Sequence, residues 1–472
     1  MAKTKLSSIL ISLSDKEKSD YRKHLQNHPS KSHKELLKLF NTIDKIHNSP
    51  PMNSRDLALQ SWSKIYPSTP LDMNKWRKNL TRLSQSLFEF LTQNLSEEEI
   101  LFKELTEAST RGLDKYFDAT LKNINTFFNE EKNLEPERYL WLHKIAIKQH
   151  QQLEGQKKKN FSFDYLDKAD QLLDLFYYAK KLDLYINSIG FQLSTKSKIK
   201  LNDDMITKAN EIRNKSLLIN LNLLVKEMFE SEQSEEAYQN LKESFARNIG
   251  KLHAVEKQKH IRSLMNYCVY LINKGKAVYF QELFTVYELA LKEEIIIKDG
   301  RLNQMHFRNI ITVGLHLKHY NWTESFIQNY ANKTESDDKS SLIRFNLAKL
   351  YFHKKDYTSV IGQLKDVEYN KTDFQLGSKI LLLQTYYELG EEETLDALCE
   401  SFRIYLLRNK NISNEYKQQY YQIIKFVRKL IFTNPYEKDK FRKLKAKAMD
   451  TQSLVEKKWI IEKIEEKLPT SQ

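Results

Sequence analysis

Glycine and proline are scarce in this chain, and that scarcity constrains its fold more than any other feature. The 472 residues include only ten Gly and eight Pro, whereas average usage is about 7% and 5%. Sandwiches, barrels and doubly wound sheets need many turns built from these residues. The shortage therefore predicts an all-α protein of long helices with short connections. Aromatic residues make up 11% of the chain, more than disordered chains carry, so it is expected to fold.

Local patterns mark the starts of several helices. The capping-box spacing, a Ser followed three residues later by a Glu, begins at Ser14, Ser32, Ser96 and Ser453. In such a box the hydroxyl and the carboxylate each accept a hydrogen bond from a backbone N–H that the first helical turn leaves unpaired. We expect a helix after each of these four serines.

Proline spacing and helix rhythm divide the chain into three regions. Residues 1–95 contain five of the eight prolines and read as a separate N-terminal helical region. Residues 96–430 follow a pattern of helix, short break, helix, which is typical of antiparallel helix pairs. Residues 431–472 read as basic C-terminal helices, of which the last, with Ile460, Ile461, Ile464 and Leu468 on one stripe, is expected to be a cap.

The clearest repeat lies in residues 309–408. Trp322, Tyr357 and Glu392 follow three successive breaks and are interpreted as equivalent positions, 35 residues apart. In the middle unit Leu347 and Tyr351 recur at helical spacing before the break, as expected for a buried stripe. A period of this size predicts stacked helical hairpins.

This pattern resembles the tetratricopeptide repeat, a helical hairpin of about 34 residues. The match rests on Leu347-Ala348, Tyr351, Asp356-Tyr357 and Gly390, although Val360 stands where the family has a small residue. The resemblance implies a right-handed superhelical solenoid of antiparallel helix hairpins, flanked by the N-terminal region and the capping helix. It also implies a concave face that holds a protein or peptide partner.

The resemblance further implies a partner groove lined by first-helix residues. By alignment of the units these are Asn309, Thr312, His316, Asn346, Lys349, His353, Lys379 and Thr385. The net charge of +14 favours an acidic segment or a C-terminal carboxylate as the ligand. The first functional hypothesis is therefore a protein–protein interaction scaffold or adaptor.

No motif for enzymatic chemistry is present in the sequence. The Gly-rich phosphate loops and the Gly-x-Ser-x-Gly elbow are absent. His24 and His28 have zinc-site spacing, but Leu25 occupies the position where a zinc hydrolase has Glu. His253 and His260 are interpreted as surface residues. We therefore predict a protein that is not an enzyme and has no catalytic residues, no cofactor and no metal.

A second hypothesis is a nucleic-acid-binding regulatory protein. A helix near 55–65, a Pro-containing turn and a basic helix over 72–91 could form a helix-turn-helix-like unit. Its recognition helix would present Lys75, Arg77, Lys78 and Arg82 to the major groove. The other interpretation of this region is a basic N-terminal cap, and the sequence leaves both open.

Neither a signal peptide nor a membrane span is expected. The apolar run from Leu6 to Leu13 is short and lacks a cleavage pattern, and no apolar stretch approaches 18 residues. We therefore expect a cytoplasmic protein without membrane insertion. Cys268 and Cys399 are too few for a disulfide framework and are expected to be small core residues. The partner's identity, the oligomeric state and the number of repeats before residue 220 stay open.

Overall fold

The computed structural model describes Leu6, Leu10 and residues 13–27, 31–47, 54–93, 96–129, 133–155, 163–194, 201–230, 234–334, 338–365 and 372–468. Over these residues the chain is helical apart from short turns and one small β-hairpin, which confirms the predicted all-α class. Within the same ranges no helix has both the length and the apolar character needed to cross a membrane.

The chain divides into two compact units, Met1–Glu130 with Trp141–Asp170 and Glu131–Leu140 with Gln171–Gln472. The helices of the first unit are α1 Asp15–Asn27, α2 Lys31–His47, α3 Ser54–Ile65, α4 Met73–Gln93, α5 Glu97–Thr110 and α6 Asp114–Asn129. Helices α7 Pro136–Gly155 and α8 Asp164–Ser194 each contribute residues to both units. The first unit thus includes α5 and α6, which the sequence assigned to the solenoid.

The helices of the second unit are α9 Asp203–Glu211, α10 Leu217–Glu230, α11 Ser234–Asn248, α12 Ala254–Asn273, α13 Tyr279–Lys292, α14 Gln304–His316, α15 Tyr320–Tyr330, α16 Lys339–His353, α17 Tyr357–Leu364, α18 Thr372–Leu389, α19 Glu392–Arg408, α20 Asn414–Phe432, α21 Lys438–Asp450 and α22 Lys457–Glu465. Strands β1 Ile297–Lys298 and β2 Arg301–Leu302 form an antiparallel hairpin between α13 and α14.

Helix packing in the second unit joins elements that are close in sequence. The more extensive contacts join a helix either to the next one, as in α10–α11, α12–α13 and α16–α17, or to the next but one, as in α10–α12, α14–α16 and α16–α18. A long apolar core runs from α8 to α16 and a second one from α18 to α22. Cys268 and Cys399 are buried in these cores as small residues, as predicted.

Two of the four predicted capping boxes mark helix starts in the structure. Glu17 and Glu99 each accept a hydrogen bond from the serine N–H, at 2.7 and 2.8 Å, and each serine hydroxyl accepts one from the glutamate N–H. The other two are wrong. Helix α2 begins at Lys31, before Ser32, and α22 begins only after Glu456, which has a left-handed φ of 52°.

Five helix hairpins turn through the same backbone geometry. The residues with left-handed φ in these turns are Gly112, Gly275, Lys318, Lys355 and Gly390. In each turn the next residue donates its N–H to the carbonyl five positions back, at 2.9 to 3.0 Å. This six-to-one hydrogen bond defines the Schellman motif, which ends a helix at a position where glycine is the preferred residue. Because the same turn recurs, equivalent positions in the hairpins can be assigned from the backbone without comparing side chains. We call this assignment the structural register.

That register corrects the predicted repeat spacing. Tyr320, Tyr357 and Glu392 each lie two residues after the left-handed position and each begin a second helix, so they are the equivalent residues. Trp322 lies two residues further into α15, and its assignment as the equivalent of Tyr357 is wrong. The corrected spacings are 37 and 35 residues. The predicted spacing was wrong because Lys318 adopts a left-handed φ, which glycine usually signals in a sequence.

The shared turn predicts a stabilising substitution. Lys355→Gly should raise the free energy of unfolding by about 1 kcal/mol, since a non-glycine residue in the left-handed region is strained by its Cβ. The same change at Lys318 should act in the same direction, and Gly390→Ala should lower stability by a similar amount. Urea denaturation of the three variants checks the expectation. An unchanged or lower midpoint for both lysine variants would contradict it.

Candidate partner-binding face

The predicted groove residues fall on three first helices of the second unit. Six of them reach the surface: Asn309, Thr312 and His316 on α14 and His353 on α16 are exposed, and Lys349 on α16 and Lys379 on α18 are partly exposed. On α14 and α16 they recur at spacings of three, four or seven residues and form one stripe per helix, whereas α18 contributes Lys379 alone.

Asn346 and Thr385 do not belong to such a stripe, and their assignment to the groove is wrong. Asn346 is 3% exposed and Thr385 is fully buried. Each satisfies its polar group within its own helix: Asn346 Nδ2 donates to the Leu342 carbonyl at 2.7 Å and Thr385 Oγ1 to the Leu381 carbonyl at 2.7 Å. A short polar side chain can enter a helical core when it bonds the preceding turn in this way.

Four cationic or ionisable groups of α14 and α16 lie close enough to influence one another. Burial lowers the pKa of the Lys349 ammonium, Arg308 lowers it further, and Glu456 counteracts both. Burial also lowers the pKa of His353, and the charges of Lys349 and His316 add to that shift. We name the group Arg308, His316, Lys349 and His353 the basic face. Arg308 was missed by sequence reasoning, although it adjoins Asn309.

Aromatic rings lie against the cations of this region. His316 stacks on Phe280 with ring centroids 3.6 Å apart. Lys349 Nζ lies 6.0 Å from the Phe345 ring centroid. The neighbouring Lys379 Nζ lies 5.1 Å from the Tyr405 ring, and burial lowers its pKa. Ring faces attract ammonium groups weakly and leave their hydrogen-bond donors available.

The basic face is not neutralised by ion pairs. Among the described residues, none of its four side chains forms an ion pair with a carboxylate, and Glu456 is the acid whose charge reaches Lys349. Like charges that lie close together without ion-pair partners repel one another. An anionic group placed among them would relieve that repulsion, so the arrangement suits an acidic ligand.

The four basic residues of the alternative hypothesis all lie exposed on α4. Lys75, Lys78 and Arg82 recur at spacings of three and four and share one helix face, whereas Arg77 points away from it. Tyr66 lies in the seven-residue connection from α3 to α4, and its ring centroid is 4.2 Å from Lys75 Nζ. These positions leave nucleic-acid binding by α4 an open hypothesis.

A second polar cluster lies inside the second unit, between α8, α10 and α12. It consists of Asp183, Asn222, Glu256, Lys259 and His260, which we name the charge network. Lys259 pairs with both Asp183 and Glu256. Asn222 Nδ2 donates to Asp183 at 3.0 Å. His260 Nε2 lies 3.5 Å from the Glu256 carboxylate, and neither ring nitrogen has a hydrogen-bond partner.

The electrostatics of the charge network follow from its burial. Burial raises the pKa of Asp183 against the opposing effect of Lys259. Glu256 is buried too, but His260 and Lys259 outweigh the burial and lower its pKa. Burial lowers the pKa of His260 to about 4, so the ring is neutral near pH 7. The ion pairs of Lys259 join α8 to α12, and the Asn222 hydrogen bond adds α10.

Sequence reasoning missed this network and placed His260 at the surface, which is wrong. Its side chain is fully buried. A signal was present in α12, where Glu256, Lys259, His260 and Ser263 recur at spacings of three, one and three. A stripe of polar residues at helical spacing, all of them buried, indicates a polar interior contact. Its partner Asp183 lies 76 residues from Lys259 in the chain.

The neutral His260 predicts a loss of stability in acid. Because its pKa is about 4 in the folded chain and about 6.5 when unfolded, the unfolded state binds more protons between these values. Stability should fall as the pH drops from 6.5 to 4, by about 1 to 3 kcal/mol from this residue. His260→Leu should remove that component.

The measurement is urea denaturation of both proteins at half-unit steps of pH. The raised pKa of Asp183 makes the folded state more stable as the pH falls. The lowered pKa of Glu256 makes the folded state less stable, but only below about pH 4.5. The difference between wild type and His260→Leu gives the contribution of the histidine together with its effect on the pKa of Glu256. A difference that does not change between pH 7 and pH 4.5 would contradict a neutral buried ring.

Within the described ranges no group of three His, Cys, Asp or Glu side chains could hold a metal ion. No family model, no curated protein and no solved structure matches this chain. The resemblance to the tetratricopeptide repeat therefore stays a prediction.

Proposed function

We propose that this protein is a non-enzymatic adaptor. Its second unit would be a tetratricopeptide-like solenoid whose first helices hold an acidic segment of a partner protein on the basic face. The observation that carries the proposal is the grouping of Arg308, His316, Lys349 and His353 without ion-paired carboxylates among the described residues.

The packing of the second unit supports the solenoid part of the proposal. Stacked hairpins pack mainly on their neighbours in sequence, and the extensive contacts from α10 to α18 follow that rule. The Schellman turns at Gly275, Lys318, Lys355 and Gly390 close successive hairpins through the same backbone geometry. First helices α14 and α16 contact each other directly, so their exposed stripes adjoin.

The electrostatic part of the proposal rests on the partial burial of the cations. Long-range attraction between exposed charges is strongly screened at physiological salt, but partly buried charges are screened much less. Lys349 and His353 both have pKa values lowered by burial. An acidic segment would keep Lys349 charged and favour the protonated form of His353. Binding should therefore tighten as the pH falls from 7.5 to 6.

Affinity capture with a charge-reversed variant tests the proposal. Tagged wild type and an Arg308→Glu/Lys349→Gln variant would be exposed to the proteins of the source cell, with and without nuclease. The matched control is Lys298→Glu/Lys292→Gln, which makes the same charge change at two exposed lysines of α13 and β1. Denaturation midpoints verify that all three proteins fold.

The proposal predicts a stoichiometric protein partner that survives nuclease. The wild type and the control should retain it, and the basic-face variant should lose at least about tenfold in affinity, as expected when two ion-pairing groups are removed. A partner retained equally by all three proteins would contradict the assignment of the basic face. Loss of every partner after nuclease would contradict the adaptor function itself.

Nucleic-acid binding through α4 is a second candidate function. The observation that favours it is the exposed face shared by Lys75, Lys78 and Arg82, since clustered cations on one helix face form a phosphate footprint. Nucleic acid recovered with wild type but lost with Lys75→Glu/Lys78→Glu would support this function. Equal recovery by both proteins would exclude the α4 face.

A further inference from the structure

The positive charge of the chain is concentrated at its C-terminal end. Residues 401–468 contain 17 Lys and Arg against eight Asp and Glu, so this seventh of the chain carries nine of its 14 net positive charges. The interspersed lysines of the remaining chain nearly balance their acids. An uneven distribution of this kind gives one region a local field that attracts anions.

Part of this charge lines a cleft between α19 and α20. The cleft has a volume of about 470 Å³, and its walls include Arg403, Tyr421, Lys425, Arg428, Lys429 and Phe432. Five of these six residues come from α20, where spacings of three, four and seven place Tyr421, Lys425, Arg428 and Phe432 along one face. The cleft shares no residue with the basic face.

The two arginines of the cleft are held in place by acids of α19. Arg403 Nη2 donates to Glu400 at 2.7 Å, and Arg428 Nε donates to Asp396 at 2.7 Å. These pairs fix the guanidinium planes and neutralise part of their charge. Lys425 and Lys429 are exposed and have no ion pair among the described residues, so they supply the free charge of the cleft.

Aromatic rings stand beside these cations at the mouth of the cleft. Phe432, the last residue of α20, lines the cleft and is 65% exposed. Tyr421 lines the wall one turn before Lys425. An exposed Phe in a cationic setting gains nothing from an acidic peptide, whose charged side chains have no aromatic face. Nucleobases present both a ring face for stacking and a phosphate within reach.

We propose that the cleft between α19 and α20 binds single-stranded nucleic acid. The backbone phosphates lie along Lys425 and Lys429, with the ordered guanidinium groups beside them, and an unpaired base stacks on Phe432. A single strand fits this description because paired bases do not expose their faces to a side chain. The expected selectivity is for strandedness and not for sequence, because phosphate contacts and base stacking carry no sequence information.

Fluorescence anisotropy of a labelled twelve-nucleotide oligo-dT with the full chain tests this inference. The variants are Lys425→Glu/Lys429→Glu and Phe432→Ala, and the matched charge control is Lys276→Glu/Lys298→Glu, at two exposed lysines remote in sequence. Titrations between 50 and 300 mM salt give the salt dependence of binding. Lys75→Glu/Lys78→Glu tests α4 separately, and denaturation midpoints verify the fold of every variant.

The inference predicts that the wild type and the Lys276→Glu/Lys298→Glu control bind the oligonucleotide equally. The Lys425→Glu/Lys429→Glu variant should bind the oligonucleotide at least about tenfold more weakly. The slope of log affinity against log salt concentration should fall in magnitude by about 1.4, because each lost phosphate contact on a single strand removes about 0.7. Phe432→Ala should weaken the affinity for the oligonucleotide about fivefold or more and keep the wild-type salt dependence.

Four results would overturn the inference. They are no binding by the wild type, unchanged binding by the cleft variants, loss of binding only in the α4 variant, and equal competition by a poly-glutamate peptide or by vesicles of anionic phospholipid. The last result would identify a non-specific polyanion surface. None of these outcomes bears on capture of a nuclease-resistant partner by the basic face, so the two proposals fail separately.

Discussion

Lys259→Met is expected to lower the free energy of unfolding by about 3 to 5 kcal/mol. The Lys259 side chain is buried and pairs with Asp183 and Glu256, which are themselves nearly inaccessible to water. Removing the ammonium leaves two buried carboxylates near each other without their shared ion-pair partner. At least one of them must then take up a proton or draw water into the core, and either response destabilises the folded state.

Urea denaturation at pH 7.5 and pH 5 measures this effect and its cause. The loss should be smaller at pH 5, because an unpaired buried carboxylate is protonated there. A triple variant that adds Asp183→Asn and Glu256→Gln should recover part of the stability. The matched control is Arg247→Met, which removes an exposed pair with Glu243 and should cost less than about 1 kcal/mol. Equal losses for Lys259→Met and Arg247→Met would show that the network contributes no more than a surface pair.

Trp459→Ala is expected to have a similar effect, about 3 to 5 kcal/mol. Trp459 lies in the first turn of the last described helix, α22, and is 8% exposed. Its ring packs edge-on against Tyr387 with centroids 5.3 Å apart, and its Nε1 donates to Glu388 at 2.9 Å. The substitution removes a large apolar contact and leaves a cavity where α22 covers the core of α18 to α21.

The control for this prediction is Tyr436→Ala, an aromatic truncation at a position that is 89% exposed. It should change the unfolding midpoint very little. If α22 is the cap of a stacked array, Trp459→Ala should also raise the exposure of the α18–α21 core to a hydrophobic dye such as ANS. A midpoint shift no larger than that of Tyr436→Ala would contradict a capping role for α22.

Local sequence signals predicted the helices well, because each signal depends on a few neighbouring residues. Ser14 and Ser96 form the capping boxes that their spacing indicated. Gly112 and Gly390 mark turns because glycine tolerates left-handed φ. Lys318 and Lys355 adopt the same φ without any such signal. The repeat was therefore recognised in outline, but its spacing was wrong by two residues at Trp322.

The candidate binding face was less predictable, since a one-residue error in helical phase moves a side chain by 100° around the helix. His316 and His353 lie on the surface as predicted. Asn346 and Thr385, assigned by the same alignment, turn into the core. A polar side chain that donates a hydrogen bond to the preceding turn of its own helix needs no external partner. The residue type alone does not show whether this hydrogen bond forms.

Long-range electrostatics were the least predictable part. The ion pair between Asp183 and Lys259 joins residues 76 positions apart, and the effect of Glu456 on Lys349 spans more than a hundred. Neither pairing has a local sequence pattern. Both depend on how the helices stack, so they can be found only after the fold is known.

Site-specific photo-cross-linking tests whether an acidic segment of a partner lies on the basic face. A benzophenone amino acid would replace Thr312, which is exposed on α14, and separately Thr285, which is exposed on α13. The captured complex would be irradiated and the cross-linked peptides sequenced by mass spectrometry. Binding on the basic face predicts cross-links from position 312 to an acid-rich partner peptide and none from position 285. Cross-links from position 285 alone, or from position 312 to a segment without acidic residues, would contradict it.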